Sequence, residues 1–324
     1  MLTLYCRRVG QIVAEYPIPG QPLPSGIVWA DILEPSEADV KMIKNIAGID
    51  VPTPEEMREI EPSSRLYREG LALFMTASVL NRTETNEPET RAVTFVLVDS
   101  LMVTVRYVSP IPFETFRARI QNQPELCSTG EVAMAELLDA IVDPIADTLE
   151  AVDANVSQLS KSIFAPIDTR RNSNIDFSQE LKTLGLNAVR CSKVDESLIG
   201  LSRLLTFLDG NLRQSGNKEV RVRVKDLQRD IISLIGYEER LSDKLQLLLD
   251  ATLGMINIQQ NNIIKIFSVI AVIFMPPTLV ASIYGMNFHA MPELAWDLGY
   301  PYALTLIFLA AILPFLYFRR RGWF

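Results

Sequence analysis

Asn287 closes the tetrad Tyr284-Gly285-Met286-Asn287, directly after the uncharged run Ile266 to Ile283. Working toward it from Asp243 in alternating steps of four and three, the sequence reads Leu247, Asp250, Gly254, Asn257, Asn261, Ile264, Ser268, Ala271, Met275, Thr278 and Ser282. On a helix those steps keep every residue near one face. Carboxylates and amides come first, then hydroxyls within the apolar run. Such groups are costly against lipid, so the face should turn toward other protein or water. His289 is the only histidine, and the cysteines are Cys6, Cys127 and Cys191 alone. The ligand set of a soft-metal site is therefore nearly absent, and any metal handled here should prefer oxygen. Ordinary packing produces similar spacing, because small and hydroxylated residues also let membrane helices approach closely. Pro276-Pro277 would free carbonyls near Val272 and Ile273, as a packing kink or as a gate. The stripe alone does not decide.

The elements that would carry this stripe are two membrane crossings. A helix needs about 20 apolar residues to cross a hydrocarbon core of roughly 30 Å. The run Ile266 to Ile283 and a second from Leu298 to Phe318 are both long enough. Lys265 precedes the first and Arg319, Arg320 and Arg321 follow the second, while Tyr284 to Pro301 holds no Lys or Arg. By the positive-inside rule both termini face the cytoplasm. The external loop is short, with Glu293 and Asp297 its formal charges. Tyr284, Trp296, Tyr300, Tyr302, Tyr317 and Trp323 fall where aromatic belts form.

A net charge of -8 argues against nucleic acid as a partner, since no basic stripe stands ready to neutralise phosphates. The odd, widely spaced cysteines on the inferred cytoplasmic side do not make a disulfide framework and read as buried small apolar residues. No phosphate-cradling glycine loop with its lysine, nucleophile elbow or paired-histidine metal motif is present, so an enzyme is not expected.

Before the spans, the chain is soluble in character. Alternating patterns predict strands over Leu2 to Val9, Gly26 to Leu33, Arg65 to Val79, Ala92 to Val98 and Leu101 to Val108, the last pair joined by a tight hairpin at Asp99-Ser100. Ser36 with Asp39, and Thr53-Pro54-Glu55-Glu56, start two short helices. From about Pro112 the pattern is helical. Thr129-Gly130-Glu131 opens a segment toward Ser162 with Pro144 inside it, a loop is expected at Ala165 to Asn174, and a helix from about Ser178 to Leu212. Gln214 to Lys218 reads as a turn. Beyond Glu219 no proline occurs until Pro276, so one helix of roughly 100 Å can run from the cytoplasm into the membrane. A helix that long needs partners along its length, and oligomerisation supplies them most simply. The expected fold is an α+β cytoplasmic N-terminal domain, a long-helix funnel and two C-terminal transmembrane helices.

The segment Tyr284-Gly285-Met286-Asn287-Phe288, with Met291-Pro292-Glu293-Leu294 and Gly299-Tyr300-Pro301 after it, resembles the CorA family of divalent cation channels. The likeness runs nearly continuously from Gly254 through Leu294 and resumes at the basic tail Arg319 to Phe324; over the N-terminal domain it is one of architecture. The resemblance implies a homopentamer whose first membrane helices surround a pore, with a cytoplasmic funnel and a Mg²⁺-sensing gate. Residues 1–125 would form the cytoplasmic α+β domain and 126–260 the funnel with its stalk helix. Residues 261–324 would form the pore domain: a first span at about 263–284, an external loop at 285–300, a second span at about 301–318 and a basic tail at 319–324.

Carried over by motif, Asn287 would form the outer ring and meet the hydrated ion, with Gly285 and Met286 shaping its turn. Ser282, Thr278, Met275, Asn261 and Asp250 would line the path below, with Asn257 and Ala271 on the same face. A hydrophobic constriction falls at Ile264, on the stripe, and at Phe267, one residue off it. Asp226 matches an intersubunit regulatory position, its partner carboxylate coming from a neighbouring subunit. His289 stands where many relatives have an acid, either as a pH-responsive group at the mouth or as a tolerated loop substitution; Glu293 keeps the other acidic position. The resemblance implies Mg²⁺ influx across a bacterial-type inner membrane, Co²⁺ and Ni²⁺ as secondary substrates, Mg²⁺ as both cargo and regulator, and no organic cofactor. A Zn²⁺ transporter of the related branch, or a membrane-anchored sensor or scaffold, are the alternatives.

Overall fold

The computed structural model describes residues 1–18, 21–82, 88–164, 177–215, 217–286, 289 and 291–322. Asn287, Trp323 and the loop expected at Ala165 to Asn174 lie outside them. The chain divides into two compact units, Met1–Leu249 and Asp250–Phe324.

The first unit is built on a seven-stranded sheet in the order β2-β1-β3-β7-β6-β5-β4. Its strands are β1 (Leu2–Arg8), β2 (Gln11–Glu15), β3 (Ile27–Leu33), β4 (Leu66–Glu69), β5 (Ala72–Arg82), β6 (Pro88–Val98) and β7 (Leu101–Arg106). All neighbours are antiparallel except β3 and β7, which join the two halves in parallel with Trp29 opposite Met102. The hairpin at Asp99-Ser100 forms as expected, pairing Val98 with Leu101 and holding Asp99 at φ 50°.

Two elements depart from the sequence reading. The expected strand reaching Val9 ends at Arg8, where Val9 and Gly10 take φ of 44° and 80° and turn the chain into β2. Positive φ at both central residues is what a two-residue type I′ hairpin requires. β2 escaped notice because it is an edge strand burying only Ile12, so its apolar alternation is too thin to register. The single strand expected over Arg65 to Val79 is two, β4 and β5, folded back at Gly70-Leu71 with Gly70 at φ 58°. The alternation continues in phase across that turn and hides it.

Alternate residues of each strand face opposite layers. Leu4, Cys6, Ala30, Ile32, Phe74, Val96, Val103 and Val105 pack with Ile43 of α1 (Glu37–Ala47) and Met57 of α2 (Pro54–Met57). Both helices begin with the capping boxes legible in the sequence, Ser36 with Asp39 and Thr53 with Glu56. A one-turn helix, α3 (Pro62–Arg65), leads into β4.

On the other face Trp29 stacks on Tyr5 at 4.3 Å between ring centroids, with Phe113 and Phe116 of α4 (Ile111–Asn122) at 6.4 and 5.3 Å. A polar network is buried there. Arg106 donates from Nε and Nη2 to the two Asp31 carboxylate oxygens at 3.0 and 2.8 Å, and from Nη1 to the Val108 carbonyl at 2.7 Å. Thr104 donates to Asp31 at 2.7 Å and receives the Trp29 indole N–H at 2.9 Å, while the Arg106 guanidinium lies 4.7 Å over the Phe113 ring.

The helical layer follows. α5 (Gly130–Ile163) starts at Thr129, which accepts from the Val132 N–H, and it runs through Pro144. Gly130 donates its N–H to the Ser100 carbonyl at 2.7 Å, and a Cβ there would lie 2.5 Å from the Met102 nitrogen. Only glycine lets α5 begin directly against the β6–β7 hairpin. α6 spans Phe177–Ser215 and α7 spans Lys218–Tyr284, a helix of 67 residues. Cys6, Cys127 and Cys191 are free and buried, and burial pushes the Cys127 and Cys191 thiols up to about 12 and about 11. Such thiols are packing residues and not reactive ones.

Candidate ion pathway and a carboxylate cluster

The second unit holds α7 from Asp250 onward and α8 (Gly299–Arg320), two residues longer at each end than the expected second span. Both α7 and α8 are long and apolar enough to cross a membrane. Every stripe residue of this unit is exposed in the single chain: Asp250, Gly254, Asn257, Asn261, Ile264, Ser268, Ala271, Met275, Thr278 and Ser282. Phe267, the position beside the stripe, is exposed as well. From Ser268 onward the sheltered positions are Val269, which is buried, and Ile273, Pro276, Pro277, Val280 and Tyr284, which are half-buried. Each sits two residues from Ala271, Met275, Thr278 or Ser282, about 200° around the helix. The sheltered side of α7 thus lies away from its oxygen-bearing face, which is exposed along with the apolar flanks Ile270, Val272, Phe274 and Leu279.

Ser268 and Thr278 donate their hydroxyls to the carbonyls four residues back, Ile264 at 2.8 Å and Phe274 at 2.7 Å. Their oxygens keep lone pairs for a water-borne partner. α7 ends with the Gly285 N–H on the Ala281 carbonyl at 2.9 Å and the Met286 N–H on the Ile283 carbonyl at 3.2 Å. Added to Gly285, a Cβ would come within 3.1 Å of the Ala281 oxygen. In the loop, His289 and Glu293 are exposed. A 3₁₀ turn at Pro292–Ala295 leads to Gly299, whose N–H binds the Trp296 carbonyl at 2.9 Å and whose missing side chain makes room for the Glu293 carbonyl. Trp296 packs on Tyr302 at 5.8 Å between ring centroids, so the loop folds on its own aromatic anchor.

In the first unit Asp226 is exposed on α7 and accepts from Arg229 at 2.8 Å. It borders a cavity of 360 Å³ with Glu136 and Asp139 of α5, Arg119 of α4 and Arg223 and Asp230 of α7. Buried Glu136 is held between Arg119, at 3.7 Å, and Arg223. Burial raises the Asp139 carboxyl above its ordinary pKa, Asp143 and Asp230 add to this, and Arg119 opposes it. These neighbours were not singled out from the sequence. The available signal was carboxylates at i and i+4 on two helices, Asp139 with Asp143 and Asp226 with Asp230, a mildly repulsive spacing that folding alone does not favour.

Further along α7, Glu238 is 6% exposed and pairs with no cation among the described residues. Burial, then Asp195 of α6, Glu239 and Asp243 push its carboxyl up to about 7. The folded state therefore binds this proton more tightly than the unfolded chain. Stability should fall as pH rises from the ordinary carboxylate range to about 7, and the loss should be complete above it. Glu238→Gln is expected to match the native chain near pH 5 and to exceed it at pH 8 in thermal midpoint. Parallel midpoint-against-pH curves for the two proteins would show that Glu238 does not carry this linkage.

The model of the CorA-like Mg²⁺ transporter proteins matches residues 24–320. This chain belongs to that family. Among relatives, the Magnesium transport protein CorA of Pasteurella multocida is 36% identical over 297 residues, covering 91% of this chain and 92% of that protein. The Magnesium transport protein CorA of Escherichia coli strain K12 is 33% identical over 303 residues, covering 94% and 93%. In three dimensions the chain is similar to the complete CorA magnesium transporter of Methanocaldococcus jannaschii, with a TM-score of 0.78 over 100% of this chain and 99% of that one, at 18% identity. Membership makes the chain a membrane protein with two C-terminal spans, of a transporter family and not of an enzyme class. The expected fold class is that of the family: a mixed sheet domain, long helices and two terminal apolar helices.

Proposed function

We propose that this chain is a homopentameric channel of the inner (plasma) membrane carrying Mg²⁺ inward, its pore lined by the open face of α7. Family membership over residues 24–320 carries the reading, and the oxygen-bearing stripe supports it. Residues 1–125 and 126–260 form the cytoplasmic domain and funnel, and 261–324 the pore domain, with both termini cytoplasmic. Mg²⁺ holds its octahedral water shell reluctantly exchanged. A ring of Asn287 amides, with Gly285 and Met286 shaping its turn, hydrogen-bonds those waters from outside and selects the hydrated ion. Ser282, Thr278, Met275, Ala271, Asn261, Asn257 and Asp250 line the path, narrowed at Ile264 and Phe267. The membrane potential drives entry at about 2.3 kcal/mol per charge per 100 mV.

Gating rests on cytoplasmic carboxylates, with Asp226 meeting a neighbouring subunit. Internal Mg²⁺ offsets their repulsion and holds the pore closed. Asp226→Ala is expected to raise the internal Mg²⁺ needed for half-inhibition severalfold in preloaded proteoliposomes. Unchanged sensitivity would remove Asp226 from the gate.

Uptake of Mg²⁺, Co²⁺, Ni²⁺ and Zn²⁺ by reconstituted protein, compared side by side, tests the substrate. Mg²⁺ should dominate, with Co²⁺ and Ni²⁺ slower. Preference for Zn²⁺ would overturn the assignment, and folded protein passing no ion would make the helices an anchor for a sensor or scaffold.

A further inference from the structure

A cavity that the ion pathway does not use lies entirely within the first unit, bordered by the segment from α2 to α3, by β5 and β6, and by Glu196 of α6. Its volume of 330 Å³ falls at the small end of small-molecule sites, roughly 300–1,000 Å³. In an acidic chain its lining includes three arginines, Arg58, Arg65 and Arg91. Arg58 and Arg65 pair with no carboxylate among the described residues; Arg65 gives its Nε proton to the Glu59 carbonyl, which leaves its terminal nitrogens available. Arg91 reaches Glu89 at 2.7 Å.

The carboxylate in the wall is already engaged. Glu196 accepts from Thr90 at 2.8 Å and from Lys193 at 3.3 Å. Burial works to raise its pKa, but the hydrogen bonds from Thr90, Ser78 and Lys193 outweigh it and hold the carboxyl below its ordinary value. Glu55 and Glu56 stand near the Tyr107 side, where Glu56 accepts the Thr53 N–H at 2.8 Å in the α2 capping box. Besides Ser78 and Thr90, the remaining wall is apolar or aromatic and includes Met57, Ile60 and Tyr107.

We propose that this cavity binds a small organic phosphate of the nucleotide class, its phosphate held by Arg58, Arg65 and Arg91 and its base against Tyr107, Met57 and Ile60. Planar guanidinium groups match phosphate oxygens in pairs, which is why arginine is the residue of choice for such anions. The limited volume fits a single soluble ester. Nothing in the transport reading is needed for this assignment.

Calorimetric titration of the full chain in detergent, without divalent cations, tests it using AMP, ADP, adenosine, inorganic phosphate and a short oligoribonucleotide. AMP and ADP should bind saturably, with adenosine and inorganic phosphate at least tenfold weaker. Arg58→Gln combined with Arg65→Gln should weaken AMP at least tenfold at an unchanged thermal midpoint, while Arg68→Gln on β4, outside the cavity, should leave it unaltered. Absence of saturable nucleotide binding, equal affinity for adenosine or inorganic phosphate, or full affinity in the double variant would overturn the proposal. Tighter binding of the oligoribonucleotide would overturn it in favour of nucleic acid.

Discussion

Asn287→Ala is expected to abolish Mg²⁺ flux in proteoliposomes while leaving the fold and the assembly intact. In the proposed pore the amide acts on the water shell and not on the metal, so each subunit would contribute an ordinary hydrogen bond, about 1 kcal/mol. Summed around the proposed pentamer, about 5 kcal/mol is lost, or roughly three to four orders of magnitude in ion occupancy at the mouth. A neutral amide suits the task because conduction needs binding weak enough to release the ion. Asn287→Asp adds a charge per subunit and is expected to hold Mg²⁺ more tightly and pass it more slowly. Flux from Asn287→Ala equal to that of the native chain would take the amide ring out of the mechanism.

The second large effect concerns stability. Asp31→Asn should lower the stability of the sheet domain by about 3–5 kcal/mol, because it strands the Arg106 charge in a site where the guanidinium is 1% exposed. Thr104, which donates to the same Asp31 oxygen as Arg106 Nε, and the Trp29 indole, which donates to Thr104, are disturbed as well. In a thermal melt followed by near-ultraviolet circular dichroism, the midpoint should fall by about 10 °C. Replacing both partners, Asp31→Leu with Arg106→Met, should recover most of the loss, since a buried pair costs nearly as much to desolvate as it returns. A double variant no more stable than Asp31→Asn would place the contribution in the network's hydrogen bonds.

What the sequence disclosed divides along a physical line. Signals made by neighbours in the chain were legible: the capping boxes at Ser36 and Thr53, the Asp99-Ser100 hairpin, Thr129 as the start of α5, and the long helix beyond Glu219. The oxygen-bearing stripe is of this kind, because helical periodicity alone puts Asn261 and Ser268 on the face of Asp250. Signals made by distant segments were not. Asp139 and Asp226 border one cavity, and Asp139 feels Asp230, only because α5 and α7 come together, and Glu238 finds Asp195 on α6 in the same way. Nor does spacing foretell that the buried Asp31 will find Arg106 across the parallel β3–β7 pair. β2 and the Gly70-Leu71 turn were hidden for a different reason, a weak or uninterrupted apolar pattern.

The central claim is that copies of α7 stand around a wet axis that passes hydrated Mg²⁺. Mg²⁺ entry into proteoliposomes holding the purified native chain, read by an internal Mg²⁺-sensitive dye while an inside-negative potential is imposed, tests it most directly. The account predicts entry that begins with the potential, steepens as the potential grows and stops as internal Mg²⁺ accumulates. Folded, reconstituted protein that admits no Mg²⁺ at any potential would contradict it.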